Sequence, residues 1–366
     1  MTRTEAYLAL NLLPKIGPVR VRRLLEVFGT PERILTAKAR EISQIDGFGP
    51  DLSESLANWE STVDPTREQR RIKEENLTLL TQEDALYPKL LREIHDPPLV
   101  LYVRGQLTER DHHGIAIVGS RRTTHYGTSV AKKLGFQIAY AGYTVISGLA
   151  RGIDTAAHEG ALASKGRTVA VIGAGLAKLY PPENQALADK IAEQGAVVSE
   201  FPVDYPPDKQ TFPMRNRIVS GWSCGVIVAE APARSGSLIT AQQAAEQGRA
   251  VFAVPGNIDR PSSAGCNKLI QEGAKLIMDG GEVLDDLMTL FPTQPIAPQM
   301  DFVKVDVSLQ GDEDKIYTAI GAGEAHINEI TERSGLATSL VSATLMKLEM
   351  KRLVKPLPGR FYTRLV

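Results

Sequence analysis

Cysteine is nearly absent, with Cys224 and Cys266 the two in 366 residues. They stand far apart and no C-x-x-C spacing occurs, so neither a disulfide framework nor a zinc site is suggested, and a reducing cytoplasm fits best. Neither sign of charge is in excess, 42 Lys and Arg standing against 43 Asp and Glu. Contact with a nucleic acid must therefore come from a local cluster of cations, because there is no global basic field. Met1 leads into a polar, periodic helix, and no uncharged apolar run approaches the ~18 residues a membrane span requires, so no membrane role is expected. Two phosphate-cradling signatures are also missing. Gly119 to Gly127 does not match G-x-G-x-x-G, no acidic residue sits where it would take a ribose hydroxyl, and G-x-x-x-x-G-K-[ST] does not occur. These absences argue against a dinucleotide coenzyme and a nucleoside triphosphatase, and no cofactor is expected.

What is present is a hydrophobic content of 43%, ample for a buried core, in a chain long enough for more than one domain. Residues 1–65 carry a degenerate repeat, Lys15-Ile16-Gly17-Pro18 before Val19 to Leu25 and Gly47-Phe48-Gly49-Pro50 before Asp51 to Leu56. Each copy reads helix, tight Gly turn, helix, which resembles a pair of helix-hairpin-helix units exposing N–H groups where a phosphate can sit. Arg20, Arg22 and Arg23 follow the first turn, whereas Asp51 and Glu54 follow the second, so only the first suits DNA electrostatically; a spacer or interaction module is the competing reading.

From residue 76 to 290 short apolar runs alternate with helical stretches: Ile115–Val118, Thr144–Ile146, Thr168–Ile172, Val197–Ser199, Gly225–Ala229, Ala250–Val254 and Lys275–Met278. Continuous apolar strands interleaved with helices predict an α/β domain whose parallel sheet is buried on both faces. Residues 291–311 include an aperiodic Pro- and Gln-containing stretch and read as a linker. Residues 312–366 predict three short helices and a small β-wing, the order of a winged helix; its basic and acidic residues nearly balance, so a spacer or protein-contact role is favoured there over DNA reading.

Ligands of an open parallel sheet bind beyond the carboxyl ends of its strands. Here those ends run into Gly119-Ser120-Arg121-Arg122, Ser147-Gly148-Leu149-Ala150-Arg151-Gly152-Ile153-Asp154, Gly173-Ala174-Gly175, Ser235-Gly236-Ser237 and Pro255-Gly256-Asn257. Small residues let a ligand approach the backbone, and hydroxyls at helix starts face anions, so the crevice is suited to phosphates. Phe212-Pro213-Met214-Arg215-Asn216-Arg217 adds two guanidiniums flanking an amide, a phosphate grip, beside a ring able to stack on an unpaired base. For catalysis the candidates are Asp154 with His158, one helical turn apart, and Glu200 and Glu230 at strand ends. An Asp/His pair at that spacing is more often a capping or ion-pair arrangement, Glu230 is placed to orient Arg215 or Arg217 instead, and no nucleophile with an adjacent base is visible.

With these motifs in this order, together with Ser235-Gly236-Ser237-Leu238-Ile239-Thr240-Ala241, residues 76–290 closely resemble the bacterial DNA-processing protein A family, also called Smf. The resemblance implies an extended Rossmann-like core, a non-enzymatic single-stranded DNA-binding protein that protects incoming DNA during natural transformation, and loading of the RecA recombinase. It places Arg121, Phe212, Arg215, Asn216, Arg217, Asn267 and Lys268 within the motifs that line the family's DNA pocket, with Gly119, Ser120, Arg122, Ser235, Gly236 and Ser237 beside them. It also implies a homodimer, for which Leu269, Ile270, Leu276 and Ile277 are the candidate interface. A related class, the nucleoside-monophosphate phosphoribohydrolases, carries a catalytic Glu after a Gly-rich turn; this chain continues Ala241-Gln242-Gln243, with amides where that carboxylate would be expected.

Overall fold

The computed structural model describes residues 1–290, 309, 311–321, 323–350, 353–357 and 359–364. The expected linker, apart from 309 and 311, lies outside the described residues, as do positions 351 and 352 between the predicted third helix and the wing.

Nine strands form one sheet: β1 (Thr78–Thr81), β2 (Val100–Gly105), β3 (Gly114–Gly119), β4 (Thr144–Ser147), β5 (Thr168–Val171), β6 (Ala196–Ser199), β7 (Ser223–Glu230), β8 (Ala250–Ala253) and β9 (Lys275–Leu276). Their spatial order is β1-β2-β6-β5-β4-β3-β7-β8-β9. From β6 to β9 every pairing is parallel, as the apolar runs predict, while β1 and β2 add an antiparallel edge. The strands β4, β5, β6 and β7 are buried end to end, and β3 up to Gly119, because helices cover both faces. One face packs Ile115, Ile117, Val145 and Ile227 against Leu134 and Ile138 of the helix His125–Tyr140. The other packs Val118, Ile146 and Val226 against Ile218 and Trp222 of the helix Thr211–Trp222. After β3 the chain builds outward on one side through β4, β5 and β6, and from β7 onward on the other. The strand order therefore reverses at β3/β7, where α/β sheets open a crevice.

The repeat at the amino-terminal end appears as two helices that begin alike. Gly17 and Gly49 are N-caps and Pro18 and Pro50 open the helices Pro18–Phe28 and Pro50–Ala57, proline losing nothing at a first-turn position whose N–H has no partner. With the preceding helix Arg3–Leu12 they share a hydrophobic cluster with the sheet, Leu8, Leu10, Leu24 and Leu56 joining Val100, Tyr102 and Val197. Polar ties reinforce the seam: Asn11 Nδ2 donates to Glu200 O at 3.2 Å, and the Arg71 guanidinium grips Asp204 at 2.7 and 2.9 Å. The three arginines after the first turn also bond to the chain itself. Arg20 donates to Lys15 O, Arg22 to Ile94 O and His95 O, and Arg23 to Asp46 O.

The second compact unit has helices Asp312–Ile320, Ile327–Ser334 and Thr338–Met350 around Ile316, Ile330, Val341 and Leu345. Its sheet is antiparallel, with β10 (Glu324–His326) beside β12 (Phe361–Arg364) and β12 beside β11 (Val354–Leu357). Three helices and this sheet make a winged-helix unit, so the α/β core is flanked by a helix-hairpin-helix segment and a winged helix.

Candidate nucleic-acid interface

The loop after β3 carries Arg121 and Arg122, and two devices hold it. Ser120 Oγ accepts from Arg122 N at 3.1 Å and donates to Arg122 O at 3.0 Å. Glu230, buried at the end of β7, accepts from Thr123 Oγ1 at 2.8 Å, Thr124 N at 2.8 Å and Thr124 Oγ1 at 2.6 Å. Glu230 thus fastens the arginine loop to the sheet and does not orient Arg215 or Arg217.

The loop after β4 is held just as tightly. Leu149 has φ +57°, left-handed backbone uncommon for a non-glycine residue. Asp154 Oδ2 accepts from Gly148 N at 3.1 Å and Ala150 N at 3.3 Å, and Asn184 Nδ2 donates to Leu149 O at 2.8 Å. Burial raises the Asp154 carboxyl, partly offset by the Arg215 charge and these N–H groups. His158, fully buried, bonds Thr168 Oγ1 through Nδ1 at 2.7 Å, and desolvation together with Arg215 pushes it down to about 3. Asp154 and His158 therefore build the loop and the core beneath it, and neither has the placement of a proton-transfer pair.

The two arginines of Phe212–Arg217 have separate fates. Arg215 is buried; Nη1 donates to Gly148 O at 2.5 Å and to Val171 O, and Nε to Asn216 Oδ1 at 3.1 Å. Desolvation lowers it to about 10, which leaves it charged at neutral pH, and Nη2 remains for anything entering from outside. Arg217 faces elsewhere. Its guanidinium bonds both Glu200 carboxylate oxygens at 2.9 and 2.7 Å and Asp96 Oδ2 at 2.7 Å. Burial opposes its charge, but the two carboxylates outweigh that and the net shift is upward. Arg217 is held in an internal ion pair, which departs from the expectation that both arginines face phosphate.

Between these loops lies an open hollow lined by Arg121, Arg151, Tyr180, Phe212 and Arg215 and by backbone at Gly148 and Gly173. The Arg121 guanidinium sits 5.0 Å over the Phe212 ring, Tyr180 lies 5.9 Å from Phe212 at 44°, and Arg151 sits 6.0 Å over Tyr180. Two neighbouring rings are thus flanked by a guanidinium at either end. Arg121, Phe212 and Arg215 are brought together as expected. Tyr180 falls in an irregular stretch after β5, where no periodicity marks it in the sequence.

The remaining candidates lie along the same strand-end edge but not in the hollow. Ser235 caps the helix Gly236–Glu246 after β7, its hydroxyl accepting from Ser237 N at 3.3 Å. Asn267 clasps Gly256, accepting from its N at 3.1 Å and donating to its O at 3.0 Å, so its amide holds the loop after β8. Lys268 is exposed and pairs with Glu272 at 3.4 Å. Of the interface candidates, Ile277 is fully buried in the chain's own core and is withdrawn; Leu269 and Ile270 pack partly against the core, and Leu276 is exposed on the edge strand β9.

Two expectations follow. A Cβ at Gly148 would lie 2.4 Å from the Arg215 guanidinium, which is pinned from two sides, so Gly148→Ala should cost roughly 1 to 3 kcal/mol and displace Arg215. Thermal melting reads the loss, and an unchanged melt shows that the hollow tolerates the methyl group. The second concerns pH. His158 has a folded pKa far below its ordinary 6.5, so the unfolded chain binds the extra proton and stability falls as pH drops below that value. From pH 6 to pH 5 the loss is about 1 kcal/mol. Asp154, raised by burial, acts in the opposite sense just above the ordinary carboxylate range, so the comparison with His158→Gln isolates the histidine: the variant's urea midpoint should lose that slope.

Among the described residues no helix is long and apolar enough to cross a membrane. The family model described as DNA recombination-mediator protein A matches residues 78–288, the DprA winged helix domain matches 304–360, and a SAM-like helix-hairpin-helix tandem matches 7–57. Protein Smf of Synechocystis is 34% identical over 98% of both chains, and the DNA processing protein DprA of Streptococcus pneumoniae is 48% identical over 55% of this chain and 71% of its own. Among solved structures, DNA processing protein A of S. pneumoniae superposes with TM-score 0.69 at 37% identity, covering 78% of this chain and 98% of that one. The protein of the same name from Helicobacter pylori, solved to describe its single-stranded DNA binding mode, gives 0.53 at 31% identity, covering 59% of this chain and 98% of its own. With a model of the sheet core matched over more than half its length and a relative aligned from end to end, the chain belongs to the DNA recombination-mediator protein A family.

Proposed function

We propose that the protein binds single-stranded DNA without sequence preference in the hollow at the ends of β3, β4 and β5. On this reading it shields incoming DNA during natural transformation and passes it to a RecA-type recombinase. The observation that carries the reading is Arg121 poised over Phe212 with Tyr180 alongside. Rings and guanidinium planes accept any base by its face, while Arg121, Arg151 and Arg215 Nη2 supply charge for phosphates. A base entering the hollow displaces the Arg121 guanidinium from the Phe212 ring and releases it toward the backbone. The names of the S. pneumoniae and H. pylori relatives, DNA processing and single-stranded DNA binding, agree with this use of the site.

The reading includes no catalysis. Asp154 and Glu230 are occupied by backbone N–H groups and threonine hydroxyls, and where a phosphoribohydrolase carries its carboxylate Gln242 donates to Glu246 at 2.9 Å. An amide there cannot stabilise a developing cation. Incubation with nucleoside monophosphates should release no free base; release would overturn this part. Binding is tested with single- and double-stranded oligonucleotides of one length at two salt concentrations. Tighter, salt-dependent binding of the single strand is expected, and equal or tighter duplex binding counts against the hollow.

The chain is also proposed to work as a homodimer joined along its β9 edge, where Leu276 and Met278 are exposed. Two hollows on one particle hold a strand at two places and raise avidity. Leu276→Glu should give folded monomers by sedimentation; a variant that keeps the dimer mass places the interface elsewhere.

A further inference from the structure

On the helix His125–Tyr140, Tyr126, Ser129, Lys133, Phe136 and Tyr140 are all exposed, while Ala131, Leu134, Gly135 and Ile138 are buried. Steps of three and four residues place the exposed set in one row along the helix. The water face of such a helix is ordinarily polar. This one carries three aromatic side chains, exposed to 48%, 41% and 39% for Tyr126, Phe136 and Tyr140. Phe136 and Tyr140 stack on each other, centroids 5.8 Å apart and planes within 10°.

The neighbouring helices leave the row open. The helix Gly280–Leu290 meets this one at Gln137 and Ile138, and the helix Ile153–Ala163 meets it at Gly135 and Lys132. Lys132 is paired with Glu159 at 2.7 Å, whereas Lys133 has no ion-pair partner among the described residues. The row also follows the hollow directly in sequence. Arg121 lines the hollow, Arg122 is the next residue and exposed, and the helix starts at His125. Tyr126 is anchored by its hydroxyl, which donates to Pro255 O at 2.9 Å, so the first ring is held in place before any ligand arrives.

We propose that this row is a second contact track for single-stranded DNA, along which a strand leaving the hollow passes Arg122, lays bases against Tyr126, Phe136 and Tyr140, and keeps its backbone beside Lys133. The proposal rests on the hollow being the DNA site. Flat rings interleaved with unneutralised cations, without a single exposed aliphatic side chain in the row, match a ligand that offers π-faces and phosphates in alternation. A helix of this length spans about 24 Å, so the track holds several nucleotides beyond the hollow.

The experiment measures binding of fluorescein-labelled oligothymidylates of about 6 and about 20 nucleotides, bracketing the site sizes of single binding modules. The variant Lys133→Ala/Phe136→Ala/Tyr140→Ala alters exposed side chains only and should keep its circular dichroism. It is expected to weaken the long oligonucleotide about tenfold or more and leave the short one within twofold. Arg121→Ala should weaken both; if it weakens neither, the hollow itself has been misassigned, whatever the row does. An equal loss on both lengths by the triple variant, or no loss on the long one, overturns the track. A fall in the particle's sedimenting mass that accompanies the weakened binding also overturns it, because the rings would then be a contact between copies of this chain.

Discussion

Arg217→Leu is expected to destabilise the sheet domain by about 3 to 5 kcal/mol, the cost of stranding a buried carboxylate. Glu200 accepts both of its strong bonds from Arg217, and its side chain is only 10% exposed, so removing the cation leaves a charge that water cannot reach. Asp96, more exposed, recovers solvent and contributes less to the loss. Urea unfolding followed by circular dichroism reads the effect. Arg217→Met combined with Glu200→Leu should restore much of the stability, since a packed apolar pair commonly replaces a buried ion pair without penalty. If Arg217→Leu unfolds at the wild-type midpoint but binds single-stranded DNA weakly, the residue is a ligand after all and the ion pair is incidental.

That contrast explains how far the site could be read from the chain. The R-x-R of Arg215 and Arg217 suggests one phosphate grip as long as the segment's conformation is open. Once it is a helix, residues two apart point about 200° away from each other, so one arginine enters the hollow and the other must find partners behind it. The partners, Glu200 at the end of β6 and Asp96 in the loop before β2, come from distant parts of the chain, and no local pattern announces them. The parallel strands were readable because burial on both faces turns them into unbroken apolar runs such as Ile115–Val118. β1 and β10 were not, since Thr78–Thr81 and Glu324–His326 are short edge strands whose burial is mixed. The same holds for Tyr180 and Arg151: their importance comes from the pair of rings flanked by two guanidiniums across the hollow, a property of three loops folded together.

Arg121→Ala and Phe212→Ala are expected to weaken single-stranded DNA binding through different physics, and together they test the hollow most directly. Losing the Phe212 ring removes a stacking platform, about 1 to 3 kcal/mol per base, with no change in charge. Losing Arg121 removes a phosphate partner, so the log–log dependence of affinity on salt should flatten by roughly 0.7. The Phe212 variant should keep the wild-type slope. Because the guanidinium lies 5.0 Å above the ring in the empty protein, the two side chains are neighbours, and their effects should fail to add: the double variant should lose less than the sum of the singles. Phe212 is only partly buried and borders Gly173, so its removal should leave the melting temperature near that of wild type. A Phe212→Ala protein that melts early and binds normally would make the ring a packing element. Two additive variants with unchanged salt slopes would move the DNA out of this hollow, toward the hydroxyl-lined helix start at Ser235 on the far side of β3.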